Sequence, residues 1–235
     1  WTQNLTGTHT FNFNEDFIVL DGRVKVTNDI DEKIISYKEP NNLFPTPDKN
    51  YVDYWFPRNK NYKTPKSVRT REKNLKILSD TLKDFKIESC LVFGTLLGAI
   101  RDKSLIPHDH DDDVFVYENS RKLFTRDLIL TLESKGFRIM RTADNSGTLS
   151  FYKDGYYIDV YFVNLNNNNK WQWREVEMAK KYFDTFSQVT LHNGDIYNTP
   201  NYAKEFLENT YGPNWVTPIK NSESGWVNGK YANIN

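Results

Sequence analysis

The chain has 235 residues, enough for one domain, or for one domain with a smaller appendage, and for a sizeable hydrophobic core. Lysine and arginine together number 31, the same as aspartate and glutamate, so the chain lacks the basic excess of a general nucleic-acid-binding protein. The single cysteine excludes an internal disulfide and a cysteine-based zinc cluster, and no stretch reaches the roughly 18 apolar residues of a membrane helix.

The N-terminal part of the chain predicts an appendage to a larger domain. Residues 11–27 contain two apolar-rich segments on either side of an Asp-Gly pair, which is typical of a β-hairpin. Between residues 39 and 65, five prolines are spaced too closely for a helix or a central strand to form between them. We therefore predict an extended segment there, with residues 1–65 as the appendage and residues 66–235 as the main domain.

The sequence of the first half of the main domain predicts alternating helices and strands. Leu75, Leu78 and Leu82 recur at helical spacing, so a helix is expected over residues 66–86. Strand and helix patterns then follow one another up to residue 163, with turn residues between them. The strands are expected at residues 87–93, 111–117, 137–142, 148–153 and 156–163, and the helices at residues 95–101 and 119–135.

The second half of the main domain predicts fewer regular elements. A helix is expected over residues 171–181, and a hairpin over residues 187–197 because an Asn-Gly pair lies near its centre. A last short helix is expected from residue 200 to about residue 210. Together these elements predict an α+β fold, in which helices pack against a mixed β-sheet.

An unusually dense acidic run lies between two apolar segments. Asp109, Asp111 and Asp113 alternate along the start of the predicted strand, so they project from one face while the valines that follow point into the core. Carboxylates at this density repel one another unless a cation lies among them, and magnesium prefers such oxygen ligands. The alternative is a solvated acidic turn, but the flanking apolar segments place the charges where solvation is poor.

A further carboxylate, Asp159, lies in the middle of the apolar segment YYIDVYFV. A lone aspartate there costs several kcal/mol unless it is paired, hydrogen-bonded or bound to a metal. If this strand neighbours the acidic strand, Asp159 lies beside Asp111 and Asp113, where it could bind a metal or act as a general base. The alternative is an exposed side chain on the polar face of an edge strand.

Three residues upstream of the acidic run could bind phosphate. Gly94 and Thr95 lie at a predicted strand-to-helix turn, where backbone N–H groups and a hydroxyl can hold a phosphate group. Arg101 follows two turns later and could bind a phosphate with two parallel hydrogen bonds, although a surface arginine is the alternative. The order of these features along the chain resembles that of the nucleotidyltransferase fold.

The same segments resemble the LicD and fukutin-related family. GTLLGAIR at residues 94–101 and IPHDHDDDV from residue 106 are similar to its signature GTLLGAVR followed by IPWDxDxD, with apolar residues between the aspartates. YIDVYFV, which contains Asp159, resembles the family's later aspartate strand, and residues 202–218 resemble its closing YG-x-x-W-x-x-P element. The resemblance spans about residues 75–218.

Two residues depart from the pattern of that family. His108 stands where the family usually has tryptophan, and Asp112 stands where it has an apolar residue. Strand alternation predicts that Asp112 faces away from the metal site, and a charge at that position predicts a less buried start to the strand.

The resemblance implies a metal-dependent transfer of a phosphorylated small alcohol, such as phosphocholine, ribitol phosphate or glycerol phosphate, from a CDP-linked donor to a glycan hydroxyl. It also implies a Mg²⁺ (or Mn²⁺) ion held by Asp111 and Asp113, with Asp159 as a third ligand or as the general base. Further residues are implied as contacts to the substrate phosphates or as support for the site. They are Gly94, Thr95, Arg101 and Asp109.

Two other functions remain open from the sequence. One is a nucleotidyltransferase that moves a nucleoside monophosphate to a sugar phosphate or a protein, and the other is a non-catalytic module that binds a glycan or a cation. The lack of disulfides and of a targeting signal favours a cytoplasmic location. The Golgi lumen or another secretory compartment is the alternative if an N-terminal anchor has been removed.

Overall fold

The computed structural model describes residues 64–109, 111–141, 148–173 and 176–218, and nearer the N-terminus the backbone of three short strands. These strands are β1 (Thr8–Asn12), β2 (Val24–Val26) and β3 (Ile34–Lys38), and they form an antiparallel sheet in the order β1-β3-β2.

The hairpin predicted over residues 11–27 lies largely outside the described residues and stays a prediction, while the described strands β1 and β2 each pair with β3. The extended segment predicted over residues 39–65 lies almost entirely outside the described residues. The division of the chain at residue 65 therefore stays a prediction.

The main domain begins with the predicted helix, α1 (Pro65–Asp84). Thr64 caps its N-terminus by accepting a hydrogen bond from a backbone N–H of the first turn, and proline occupies the first helical position, where no hydrogen bond is lost. Leu75, Leu78 and Leu82 are fully buried along one face, so the helical spacing in the sequence corresponds to the packed side of the helix.

A seven-stranded mixed sheet forms the centre of the domain. Strand β5 (Asp111–Tyr117) runs antiparallel to β4 (Ser89–Leu91) on one side and parallel to β8 (Tyr156–Leu165) on the other. Helix α2 (Phe93–Arg101) connects β4 to the loop that leads into β5. This arrangement confirms the predicted α+β fold with helices against a mixed sheet.

On the far side of β8 the sheet continues with β7 (Thr148–Lys153) and then β6 (Arg138–Arg141). The segment before β6 differs from the single helix predicted over residues 119–135. It forms a 3₁₀ helix (Glu118–Leu123) followed by a separate helix, α3 (Arg126–Ser134). The fully buried Phe124 lies at the break, so the chain turns where this ring enters the core.

The helix predicted over residues 171–181 is wrong. The chain forms two short antiparallel strands, β9 (Trp171–Trp173) and β10 (Val176–Met178), and then a 3₁₀ turn (Lys180–Tyr182). Buried apolar side chains alternate with polar ones along both strands, which is the pattern of a half-buried sheet rather than of a helix. The buried side chains are Trp173, Val176 and Met178.

The last elements match the sequence prediction. Strands β11 (Phe186–Thr190) and β12 (Ile196–Pro200) pair as the expected hairpin, and α4 (Ala203–Tyr211) is the expected terminal helix. The side-chain amide of Asn198 donates a hydrogen bond to the backbone carbonyl of Ser89 on β4, 3.2 Å away, so the hairpin lies against the edge of the central sheet. Among the helices described, none is both long and apolar enough to cross a lipid bilayer.

Candidate metal centre

Three carboxylates from two neighbouring strands meet on one face of the central sheet. Asp111 and Asp113 project from β5, and Asp159 projects from β8, where the parallel register places it directly opposite Asp113. One oxygen atom from each carboxylate lies within 4.8 Å of the other two. The structure therefore brings these side chains together as the sequence predicted, while their metal-binding and catalytic roles stay predictions.

The buried part of this cluster is crowded with negative charge. Asp113 and Asp159 are only 8% and 4% exposed. Burial raises the pKa of Asp113 well above its usual range, and the neighbouring Asp111 and Asp159 raise the pKa further. A bound cation would relieve this repulsion.

Two hydroxyl groups hold the buried carboxylates in place. The hydroxyl of Tyr161 lies 2.9 Å from an oxygen of Asp113 and 3.3 Å from an oxygen of Asp159. The hydroxyl of Ser150 donates a hydrogen bond to the other oxygen of Asp159. Hydrogen bonds from neutral groups orient carboxylates without cancelling their charge, so the three residues fit a hard divalent cation that takes oxygen ligands and keeps several waters.

Tyr161 was not predicted as part of the site, although it lies two residues after Asp159 and therefore on the same face of β8. Its ring makes edge-to-face contacts with Phe93, Phe115 and Trp173, with ring centroids 5.5, 5.7 and 4.6 Å away. These contacts restrict the position of the phenol, whose hydroxyl lies between the two carboxylates.

Asp109 lies at the edge of the same cluster, against the beginning of α2. Burial of its carboxyl, followed by the charge of Asp111 and a hydrogen bond with it, raises the pKa of Asp109 well above its usual range. Gly94 makes this position possible, because a Cβ atom there would lie 2.6 Å from a carboxylate oxygen of Asp109. The residue before it, Phe93, has a φ of 47°, a conformation that is uncommon outside glycine.

The hydroxyl of Thr95 contacts the aspartate strand. Thr95 is buried, accepts a hydrogen bond from the backbone N–H of Asp113 at 2.7 Å, and donates one to the carboxylate of Asp112 at 3.4 Å. Both contacts fix the start of β5 against α2. A contact between this hydroxyl and a substrate phosphate stays a prediction.

The structure does not bring Arg101 to the end of α2 where Gly94 lies. Arg101 is the last residue of the helix, about 10 Å along the axis from Gly94 at 1.5 Å per residue. Its guanidinium forms two hydrogen bonds with the carboxylate of Asp102, at 2.9 and 2.7 Å. A role for Arg101 in phosphate binding stays a prediction that the geometry of the helix does not support.

Asp112 faces away from the three-carboxylate cluster, as strand alternation predicted, but the expected exposure of this part of the strand is wrong. Asp112 is fully buried, because the guanidinium of Arg71 on α1 neutralises its charge. His108, the other departure from the family pattern, is exposed in the turn before β5.

Arg71 was missed from the sequence, although a signal was present. It lies four residues before Leu75 and is therefore a charged residue on the apolar face of α1. An arginine on the core face of a helix needs a buried partner.

A family model matches residues 86–219 of the chain, more than half of its length, and its description is LicD/FKTN/FKRP, nucleotidyltransferase domain. The human ribitol-5-phosphate transferase FKTN is 26% identical over 155 residues, covering 62% of this chain and 33% of the human protein. The mouse ribitol-5-phosphate transferase FKTN is 28% identical over 162 residues, covering 65% of this chain and 34% of the mouse protein. The chain thus spans about a third of the length of these curated relatives.

The solved structure of the antibiotic-resistance factor ANT(2″)-Ia aligns with a TM-score of 0.43 at 11% identity, covering 56% of this chain and 66% of that one. The lincosamide antibiotic adenylyltransferase LnuA aligns with a TM-score of 0.40 at 16% identity, covering 55% of this chain and 80% of that one. Both similarities are too weak to support an inference. The match over residues 86–219 is sufficient by itself: the chain belongs to the LicD/FKTN/FKRP family and carries its nucleotidyltransferase domain.

Proposed function

We propose that this protein transfers a phosphorylated small alcohol, of the phosphocholine, ribitol phosphate or glycerol phosphate type, from a CDP-linked donor to a glycan hydroxyl. The observation that carries the proposal is the convergence of Asp111, Asp113 and Asp159 within 4.8 Å in a domain of this family. The names of the relatives, which are ribitol-5-phosphate transferases, support this class of transferred group.

The three aspartates would hold a Mg²⁺ or Mn²⁺ ion. When bound, such an ion supplies positive charge that stabilises the donor pyrophosphate and the cytidine monophosphate that leaves. The hydroxyls of Tyr161 and Ser150 keep the carboxylates of Asp113 and Asp159 in fixed orientations, so little reorganisation accompanies metal binding.

The beginning of α2 lies next to these carboxylates and would receive the donor phosphates. A Cβ atom on Gly94 would stand 3.9 Å from a carboxylate oxygen of Asp113, so the first turn of the helix borders the site. The partial positive charge of a helix N-terminus favours phosphate groups there. Because Gly94 has no side chain, the carboxylate of Asp109 also lies against this turn, so a phosphate bound there would share a cation with it.

The acceptor hydroxyl must lose a proton during the transfer, and Asp159 is the proposed general base when it does not serve as a metal ligand. Both of its oxygens lie within reach of hydroxyl donors, Ser150 on one side and Tyr161 on the other. The hydrogen bond from Ser150 orients the carboxylate, which suits either role.

Substitution of Asp111 by asparagine tests the proposal directly. We expect Asp111→Asn to keep its fold but to release cytidine monophosphate from CDP-ribitol, CDP-choline or CDP-glycerol at least about 10²-fold more slowly, since transition-state charge is left without its stabilising group. Asp84→Asn, at the exposed end of α1, is the matched control and should retain full activity. Full activity in Asp111→Asn would refute the metal assignment.

A second candidate is transfer of a nucleoside monophosphate to a sugar phosphate or a protein, and the nucleotidyltransferase description of the family domain favours it. The mass added to the acceptor separates the two reactions, because one adds an alcohol phosphate and the other adds a nucleotide. A wild-type protein that binds Mg²⁺ and glycan but turns over no nucleotide donor would instead be a binding module. The cytoplasmic location stays a prediction from the sequence.

A further inference from the structure

We propose that Arg71 is a positioning residue of the metal centre, whose guanidinium fixes the backbone from which Asp109 and Asp111 project. Asp112, on the opposite face of the strand, is the counter-charge that holds the guanidinium in place. Metal binding to the folded protein is enough to test this inference, and it rests on the proposed function only for its link to turnover.

The guanidinium of Arg71 binds three backbone carbonyls of one short segment. One terminal nitrogen donates to the carbonyls of Ile106, at 2.8 Å, and Asp109, at 3.0 Å. The other donates to the carbonyl of Asp111 at 2.7 Å. Two of the three carbonyls therefore belong to residues whose carboxylates lie in the acidic cluster.

The remaining hydrogen bonds of Arg71 go to the side chain of Asp112. Its Nε atom donates to one carboxylate oxygen at 3.2 Å, and a terminal nitrogen donates to the other at 2.7 Å. Arg71 is 1% exposed and Asp112 is fully buried. This two-point contact sets the plane of the guanidinium, which a lysine ammonium could not reproduce.

Positioning is needed because the carboxylates that leave this segment repel one another when they are ionised, which is the form that binds a cation. Asp109 and Asp111 would move apart if their backbone were free to adjust, and a cation would then have to draw them together as it bound. Arg71 restricts this movement, because its guanidinium binds the backbone carbonyls of Asp109 and Asp111. Groups that orient metal ligands in this way typically change metal affinity by about 10- to 100-fold.

A purely structural role makes a different prediction. An ion pair that serves only to fill the core can be replaced by apolar side chains of similar volume without loss, because no charge is left buried alone. By contrast, replacing Arg71 with an apolar residue leaves the carbonyls of Ile106, Asp109 and Asp111 without their hydrogen-bond donor. The double substitution Arg71→Met/Asp112→Leu therefore separates the two roles.

The experiment compares Mn²⁺ dissociation constants, measured by electron paramagnetic resonance, with thermal unfolding followed by circular dichroism. We expect Arg71→Met/Asp112→Leu to unfold cooperatively but to bind Mn²⁺ about 10- to 100-fold more weakly than the wild type. Arg69→Met, an exposed arginine on the same helix, is the matched control and should bind like the wild type. A folded double variant with wild-type affinity would overturn the proposal.

If the double variant does not fold, Arg71→Lys decides the question, because it keeps a positive charge opposite Asp112 but cannot reach all three carbonyls. Wild-type Mn²⁺ affinity in a folded Arg71→Lys protein would overturn the proposal, and so would a wild-type protein that binds no Mn²⁺. Wild-type binding of Mn²⁺ without any release of nucleotide refutes only the proposed function. Where turnover is measurable, high Mg²⁺ should restore it in an Arg71→Lys protein that circular dichroism shows to be fully folded before the ion is added.

Discussion

Two consecutive aspartates of β5 have opposite electrostatic environments. Asp112 lies on one face of the strand, fully buried, with the guanidinium of Arg71 bound to both of its oxygens. Asp113 lies on the other face, and the charged groups with the largest effect on its pKa are Asp111 and Asp159, which carry the same sign. Burial raises the pKa of both carboxyls, but Arg71 opposes the rise only at Asp112.

The difference separates a carboxylate with a buried counter-charge from one that we propose to bind a metal ion. For Asp112 the counter-charge is built into α1, so the pair is complete as soon as the chain folds. For Asp113 the nearby carboxylates increase the negative charge, so its neutralisation requires a proton or a metal ion from solution. We therefore expect the stability of the protein to respond differently to the same substitution at Asp112 and at Asp113.

The largest expected effect is on stability when each aspartate is replaced by asparagine. Asp112→Asn leaves Arg71 as a buried charge without its partner and should lower the free energy of unfolding by about 3–5 kcal/mol. Asp113→Asn removes a repelling charge and should leave the metal-free protein equally stable or more stable. Urea unfolding in the presence of a chelator measures both, and equal losses in the two variants would contradict the comparison.

Magnesium should stabilise the folded protein through the Asp113 face alone. At a Mg²⁺ concentration about 100 times the dissociation constant, the free energy of unfolding should rise by about 2.7 kcal/mol, because only the folded chain assembles the three carboxylates. The same addition should have no effect on Asp113→Asn. Thermal unfolding measures the shift, with sodium chloride at matched ionic strength as the control, and an equal shift with sodium would argue against a specific site.

Thr95 contacts both aspartates, since its hydroxyl accepts a hydrogen bond from the backbone N–H of Asp113 and donates one to the carboxylate of Asp112. Thr95→Val keeps the shape of the side chain but leaves a buried N–H without its acceptor, which should cost about 1–3 kcal/mol of stability. Thr95→Ser retains the hydroxyl and serves as the control. If the two variants lose the same stability, the hydroxyl contributes nothing at this position.

The smallest expected effect is the pH dependence of the metal-free protein. The pKa values of Asp109 and Asp113 are raised in the folded state, so a proton binds the folded chain more tightly than the unfolded chain. This contribution is complete below the unfolded pKa, at about pH 4, and is lost as the pH rises through the folded pKa values. Urea unfolding across that range should show a decline that is weaker in Asp113→Asn, and identical profiles would contradict the assignment.

The aspartate cluster could be predicted because its evidence is local in the sequence. Asp111 and Asp113 have the spacing of one strand face, and Asp159 is a lone charge in an apolar strand. The partner of Asp112 could not be found in the same way, since Arg71 lies 41 positions earlier. Its place on the apolar face of α1 distinguishes it from an exposed arginine such as Arg69 on the same helix.

The errors in the predicted fold have a related cause. In residues 171–178 the alternation of apolar and polar side chains extends over only three residues per strand, which is too short to distinguish a strand from a helix. The single helix predicted over residues 119–135 is broken at Phe124, whose ring is fully buried and packs against Phe162. Such contacts involve residues distant in sequence, which a local pattern does not report.

Strand β4 contains only three residues, and its position has a consequence for self-association. The free edge of a sheet can template the addition of strands from other molecules. Here the edge strand β4 is short, and the side-chain amide of Asn198 on β12 donates a hydrogen bond to the backbone carbonyl of Ser89 on β4. The strand that carries the aspartates therefore lies one strand away from a short edge that contacts β12, and both features disfavour the addition of strands from other molecules on this side.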